Sequence, residues 1–105
     1  MKRFWLGFFG LLSIAIVDCS PPSKPEFSGP ELVRRLGCLA CHGLGDSVPQ
    51  GASWLDGKGS KLTRQELEVS LTHPRRRHPG AKMPSYAYVR QGELEALVRY
   101  LESLK

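Results

Sequence analysis

Apolar residues of this chain form one long run at the start and then recur at helical spacing in three later segments. The run extends from Phe4 to Val17 and follows two positive residues, Lys2 and Arg3. A positive start followed by an apolar stretch is the pattern of an export signal, and this stretch is short for a helix that crosses about 30 Å of hydrocarbon. The sequence therefore predicts a signal peptide over residues 1–18.

Two of the later segments begin with a capping box, in which a Ser or Thr and a downstream Glu satisfy the first amides of a helix. Ser28-Gly29-Pro30-Glu31 predicts a helix that starts at about Gly29 and continues into the cysteine motif at residues 38–42. Thr63-Arg64-Gln65-Glu66 predicts a second helix, which Pro74 ends because proline cannot continue a helix.

The last segment predicts a helix from about Gln91 to Leu104. Its apolar residues share one face: Leu94, Leu97, Val98, Leu101 and Leu104. Its charged residues are expected outside that face: Glu93, Glu95, Arg99 and Glu102. No segment alternates apolar and polar residues as a half-buried strand would. The pattern as a whole predicts an all-α domain with long loops.

Cys38-Leu39-Ala40-Cys41-His42 is the motif with the most specific chemistry. A C-x-x-C-H sequence attaches haem covalently through two thioethers, and its histidine ligates the iron. A thioredoxin-like redox pair and half of a zinc site are the alternatives. A redox pair is expected near a βαβ pattern. A zinc site needs four ligands, and the chain has no second C-x-x-C to supply the other two. The motif favours one haem c bound through Cys38 and Cys41, with His42 as an iron ligand.

Residues 19–28 predict a Ser/Pro-rich tether between the export signal and the domain. Cys19 follows the apolar run directly, which resembles the lipid-attachment site of bacterial lipoproteins, but Asp18 replaces the small uncharged residue of that pattern. An uncleaved signal anchor and ordinary signal cleavage are the alternatives. All three place a domain of residues 29–105 outside the cytoplasm, in the periplasm or its equivalent. Lipidation at Cys19 and an uncleaved signal anchor would also attach the domain to a membrane through its N-terminus.

These features together resemble the class I c-type cytochromes of the small bacterial kind. The resemblance covers residues 29–105 and rests on the helix leading into the C-x-x-C-H motif, on Lys82-Met83-Pro84 and on the closing helix. It implies a small cytochrome c fold, with about three to five helices wrapped around one covalently attached haem. In such a fold the first and last helices cross, and Gly29 and Tyr100 occupy the contact positions. The implied function is single-electron transfer and not catalysis on a substrate.

The resemblance also implies a methionine on the far side of the iron, and Met83 occupies that position. A thioether ligand raises the reduction potential relative to a second imidazole. There are two alternatives: Met83 fills the core, or His73 or His78 ligates the iron in its place. In the proteins that the chain resembles, a proline carbonyl orients the axial imidazole, and Ser53 occupies that proline's position here. Which backbone oxygen orients His42 is therefore left open. Further candidates for the haem pocket are Trp54, Leu55, Tyr86 and Tyr88.

Charge sets the expectations about partners. The chain has a formal net charge of +5, and its densest basic run is Arg75-Arg76-Arg77-His78, with Lys82 beside Met83. If these residues form a basic rim at the distal haem edge, they would steer a redox donor or acceptor with an acidic docking surface. The alternative is that they belong to a solvated loop with no role in docking. Nucleic acid is not expected, because no recognisable reading fold accompanies the arginines. Two other functions stay open: a haem enzyme or small-ligand binder, and the haem subunit of a larger oxidoreductase complex.

Overall fold

A computed structural model describes residues 14–20 and 24–105 of this chain. Within these ranges the chain forms a 3-10 turn, Cys38–Ala40, and five α-helices: α1 (Gly29–Arg35), α2 (Lys58–Lys61), α3 (Arg64–Thr72), α4 (Pro74–Arg77) and α5 (Gln91–Ser103). The described residues contain no β-strand, and their β-pairing is limited to two isolated bridges. The prediction of an all-α domain is confirmed.

The predicted signal peptide falls mostly outside the described residues, which do not include residues 1–13. Residues 14–20 are exposed and have no regular secondary structure. Within the described ranges, no helix is both long enough and apolar enough to span a membrane.

Both predicted capping boxes are present. The Ser28 amide donates to Glu31 Oε2 at 2.9 Å while the Ser28 hydroxyl accepts from the Glu31 amide, which starts α1. At the start of α3, the Thr63 amide donates to Glu66 Oε2 at 2.8 Å, and the Glu66 amide donates to Thr63 Oγ1 at 3.2 Å. Pro74 terminates α3 as predicted, and it then occupies the first position of the short helix α4, where its missing N–H costs nothing.

The first helix is shorter than the sequence predicts. It ends at Arg35, and Gly37 adopts a left-handed conformation with φ of 75°. A left-handed glycine just beyond a helix is a common terminator, and here its amide donates to the Arg34 carbonyl at 3.2 Å. The prediction that α1 continues into residues 38–42 is therefore wrong. The cysteine motif begins in the separate 3-10 turn instead.

Helices α1 and α5 pack against each other at Gly29. A Cβ atom built on Gly29 would overlap the Cβ atom of Tyr100 and come within 3.1 Å of the Ala96 carbonyl oxygen. Only a residue without a side chain allows the two backbones to approach this closely. The first and last helices thus meet through Gly29 and Tyr100, as expected.

The hydrophobic core lies among α1, α3 and α5 and receives two residues from loops. The buried apolar residues are Leu32, Val33, Leu55, Leu67, Leu71, Tyr86, Leu94, Leu97, Val98 and Leu101. Leu55 belongs to the loop that follows the cysteine motif, and Tyr86 belongs to the segment that follows Met83. The core therefore ties both candidate site segments to the helices.

Glu93 departs from the predicted polar face of α5. Its exposed fraction is 8%, and the Arg90 guanidinium donates to Glu93 and, at 3.0 Å, to Glu26 Oε2. These hydrogen bonds from Arg90 lower the pKa of the Glu93 carboxyl and keep it charged. A buried carboxylate is tolerable when it is paired in this way. The sequence predicts the charged residues of α5 largely outside the apolar face, and Glu93 is the exception that the structure buries.

Candidate functional site

The cysteine motif forms a compact turn at the surface of the domain. The amide of His42 donates to the Cys38 carbonyl at 2.9 Å, so the chain completes one turn between these two residues. Cys38 is half-buried and Cys41 is exposed, and both thiols are free. Burial raises the pKa of the Cys38 thiol. The two cysteines and the histidine therefore lie on one turn. The two cysteines do not form a disulfide.

The His42 imidazole is held by a main-chain oxygen. Its Nδ1 lies 2.8 Å from the Ser53 carbonyl oxygen. Because a carbonyl can only accept, Nδ1 carries the proton in this contact, which makes Nε2 the unprotonated nitrogen of the neutral tautomer. Histidines that ligate metals are commonly oriented by such a second hydrogen bond. The structure thus identifies the Ser53 carbonyl as the backbone oxygen that orients His42.

The loop between His42 and Leu55 is folded back on itself. Gly43 and Trp54 form an isolated parallel bridge, and the Leu55 amide donates to the Gly43 carbonyl at 2.8 Å. A Cβ atom on Gly43 would lie 2.6 Å from Trp54 Cε3 and 2.6 Å from Pro49 Cδ. This close approach requires glycine at residue 43 and brings Ser53 next to the histidine.

The Met83 segment is attached to the C-terminal end of α3. Ser85 Oγ donates to the Thr72 carbonyl, and the Tyr86 amide donates to the Leu71 carbonyl at 2.8 Å. Met83 itself is half-buried and packs against the same hydrophobic core as Cys38. The methionine is therefore in a loop whose backbone is fixed on its C-terminal side.

Tyr86 links the methionine segment to the residues before the cysteine motif. Its ring is buried, and its hydroxyl donates to the Leu36 carbonyl at 3.1 Å. Burial raises the pKa of the Tyr86 hydroxyl, and the adjacent Cys38 thiol raises it further. Sequence reasoning missed this bond because a main-chain acceptor fifty positions away leaves no signal in the residue pattern.

The other residues predicted for the haem pocket differ in how exposed they are. Leu55 is buried in the core, whereas Trp54 is 43% exposed and Tyr88 is 75% exposed. The Tyr88 ring lies 6.3 Å from that of Tyr86, in a tilted arrangement. Tyr88 is therefore largely accessible and Trp54 partly so, while Leu55 and Tyr86 contribute to the packing of the core.

His73 and His78, the alternative iron ligands, are both exposed. His73 Nδ1 lies 2.9 Å from the hydroxyl of its neighbour Thr72. Within the described part of the chain, no group of three or more Cys, His, Asp or Glu side chains is arranged to hold a metal ion.

The basic run of α4 is not uniformly solvated. Arg75 and Arg76 are exposed, but Arg77 is half-buried and its Nη1 lies 3.2 Å from Glu66 Oε1 in α3. The sequence pattern did not separate Arg77 from its neighbours. The difference arises because α4 packs back along α3, so one of its three arginines must face inward.

Comparison with known proteins assigns no family to this chain. No protein-family model matches it, and no match is found among the curated proteins or the solved structures.

Proposed function

We propose that this protein is a small c-type cytochrome that carries single electrons outside the cytoplasm. One haem would be attached through thioethers to Cys38 and Cys41, with His42 and Met83 as the iron ligands. The observation that carries the proposal is the hydrogen bond between His42 Nδ1 and the Ser53 carbonyl. It orients the imidazole of a C-x-x-C-H motif and leaves Nε2 as the nitrogen that can bind iron.

The surroundings of the motif fit a large apolar group. Three apolar side chains in or beside it are only partly buried by the polypeptide and would pack on such a group: Leu36, Leu39 and Leu44. Met83 is likewise partly buried against the same core. Two free thiols lie on one turn, as attachment to two vinyl groups requires. When bound, the haem would supply a reversible Fe(III)/Fe(II) couple.

The roles of the protein residues follow from their contacts. The Ser53 carbonyl keeps His42 in one tautomer and one ring orientation. The bonds from Ser85 and Tyr86 to the end of α3 hold the loop that carries Met83, which supports a stable thioether ligand. Sulfur opposite imidazole favours ferrous iron and a higher reduction potential than bis-histidine ligation.

The position of the protein and its partners belong to the same proposal. The domain would be exported and tethered to a membrane by lipid on Cys19, which is exposed in the structure. The exposed charges of Arg75, Arg76 and Lys82 would attract a donor or acceptor with an acidic docking surface. Intact mass of the native mature protein distinguishes lipidation at Cys19 from an uncleaved anchor or ordinary cleavage.

Absorption spectra of the oxidised and reduced protein test the ligand set. We expect a low-spin spectrum with the weak red band of ferric iron bound to methionine sulfur. Met83→Leu should abolish this band and lower the reduction potential, whereas the matched variants His73→Ala and His78→Ala should leave both unchanged. A high-spin ferric spectrum of the native protein, or rapid carbon monoxide binding to its reduced form, would contradict electron transfer and favour a small-ligand binder or haem enzyme.

A further inference from the structure

The early end of α1 leaves the Leu36 carbonyl without a helical partner. In a continued helix this carbonyl would accept from the Ala40 amide, but that amide donates to the Gly37 carbonyl at 3.0 Å instead. The Tyr86 hydroxyl takes its place and donates to the Leu36 carbonyl at 3.1 Å. A main-chain acceptor just before the cysteine motif is therefore satisfied by a side chain from a distant part of the sequence.

This hydrogen bond joins the two segments that contain the proposed iron ligands. Among the described residues it is the only hydrogen bond between residues 36–42, which end at His42, and residues 79–89, which contain Met83. The other bonds from the Met83 segment to the helices lead to the end of α3, through Ser85 Oγ and the Tyr86 amide. Apart from packing against a shared hydrophobic core, the two segments are held together by Tyr86.

Tyr86 is held firmly enough to fix the separation of the two segments. The residue is 6% exposed, and its amide is anchored to the Leu71 carbonyl at 2.8 Å. Its ring thus has little freedom, and its hydroxyl reaches one acceptor that water does not easily replace. Tyr86→Phe would remove only this hydroxyl and keep the ring in the core. Tyr88→Phe is the same chemical change on a neighbouring ring that is 75% exposed.

We propose that Tyr86 is a positioning residue whose hydroxyl holds the Met83 segment against the segment that ends at His42, and so stabilises iron ligation by the Met83 thioether. The part that concerns ligation rests on the proposed function. Two ligands from separate segments bind one metal strongly only if the fold holds both at the required separation. Without the hydroxyl, binding of Met83 would also have to order its own segment, which weakens the ligand.

Imidazole titration of the ferric protein, followed at the weak red band of iron bound to methionine sulfur, tests the effect on Met83. Imidazole has to displace the thioether, so its apparent affinity rises by the factor by which Met83 ligation weakens. We expect Tyr86→Phe to bind imidazole roughly three- to tenfold more tightly than the native protein, the range for loss of one hydrogen bond. Tyr88→Phe should bind imidazole like the native protein. A native affinity in Tyr86→Phe would overturn the proposal.

Thr63→Ala separates positioning from a general loss of stability. It removes the side-chain cap of α3, at the opposite end of that helix from the anchors of the Met83 segment, and the loss of stability should be similar to that in Tyr86→Phe. We expect Thr63→Ala to bind imidazole like the native protein. If both variants increase imidazole affinity equally, Tyr86 acts only through overall stability and is not a positioning residue.

Amide hydrogen exchange of the reduced protein tests the link between the segments directly. We expect exchange at least threefold faster in Tyr86→Phe than in the native protein or Tyr88→Phe, at the hydrogen-bonded amides of residues 40–42 and at those of Tyr86 and Val89. Unchanged exchange at both segments would contradict the link. If the native protein has no haem or no methionine band, the proposed function fails, and hydrogen exchange of the purified protein alone decides whether Tyr86 holds the two segments together.

Discussion

Gly29→Ala should destabilise the domain, because it inserts a methyl group where α1 meets α5. The new Cβ would overlap the Cβ of Tyr100, an atom that no side-chain rotation can move away, so the helices must separate. Overpacking of this kind costs about 3 kcal/mol at the upper end of the usual range. Alanine recovers about 1 kcal/mol of helix propensity relative to glycine. The expected net loss is about 2 kcal/mol, which corresponds to a fall in Tm of roughly 8–16 °C for a domain of this size.

Thermal and urea unfolding of the purified native protein and its variants measures this loss. Gly80→Ala is the matched control, because a Cβ at Gly80 meets no atom within 4 Å and its φ is not positive. We expect Gly80→Ala to be neutral or to stabilise by about 0.4–1 kcal/mol. If Gly29→Ala is as stable as the control, the close contact between α1 and α5 is not the one described.

Three further effects follow from single contacts. Thr63→Ala removes the side-chain cap of α3 and should lower the free energy of unfolding by about 1 kcal/mol in urea titrations, and an unchanged midpoint would contradict the cap. Tyr86→Phe removes the hydroxyl from a main-chain carbonyl and should cost about 1–2 kcal/mol in the same assay, whereas loss of under a few tenths would rule out that bond. The Thr63 amide lowers the pKa of Glu66, and hydrogen bonds from Arg90 lower that of Glu93, so the unfolded chain binds more protons than the folded one in acid. Stability should therefore be complete above the ordinary glutamate pKa of about 4.3 and fall as the pH drops below it, and unfolding midpoints independent of pH from 6 to about 3 would contradict this linkage.

The parts of the fold that the sequence predicts correctly have local causes. The two capping boxes, the break at Pro74 and the apolar stripe of α5 all depend on residues within a few positions of one another. The early end of α1 had a local signal that the prediction overlooked, because Arg34 and Arg35 followed by Gly37 are the pattern of a helix C-terminus. Burial of Glu93 goes with the hydrogen bond from Arg90, three positions before it, and Arg90 also donates to Glu26, a partner sixty-four positions away that the residue pattern does not reveal.

The candidate site shows the same division. The spacing of Cys38, Cys41 and His42 indicates the proposed haem attachment, because a C-x-x-C-H motif places these side chains on a single turn. The acceptor for His42 is a main-chain carbonyl, and any residue at position 53 offers one, so the sequence left it open. The inward turn of Arg77 depends on how α4 packs on α3, a tertiary arrangement with no counterpart in the pattern of charges.

Covalent attachment of haem to the cysteine motif is the central claim, and intact mass spectrometry after acid-acetone extraction tests it most directly. The protein should be produced with a competent haem-ligation machinery, beside a variant in which both Cys38 and Cys41 are replaced by alanine. We predict that the extracted native chain retains the mass of one haem and that the variant does not. A native chain whose pigment is removed completely by the extraction, or that is colourless when purified, would contradict the account.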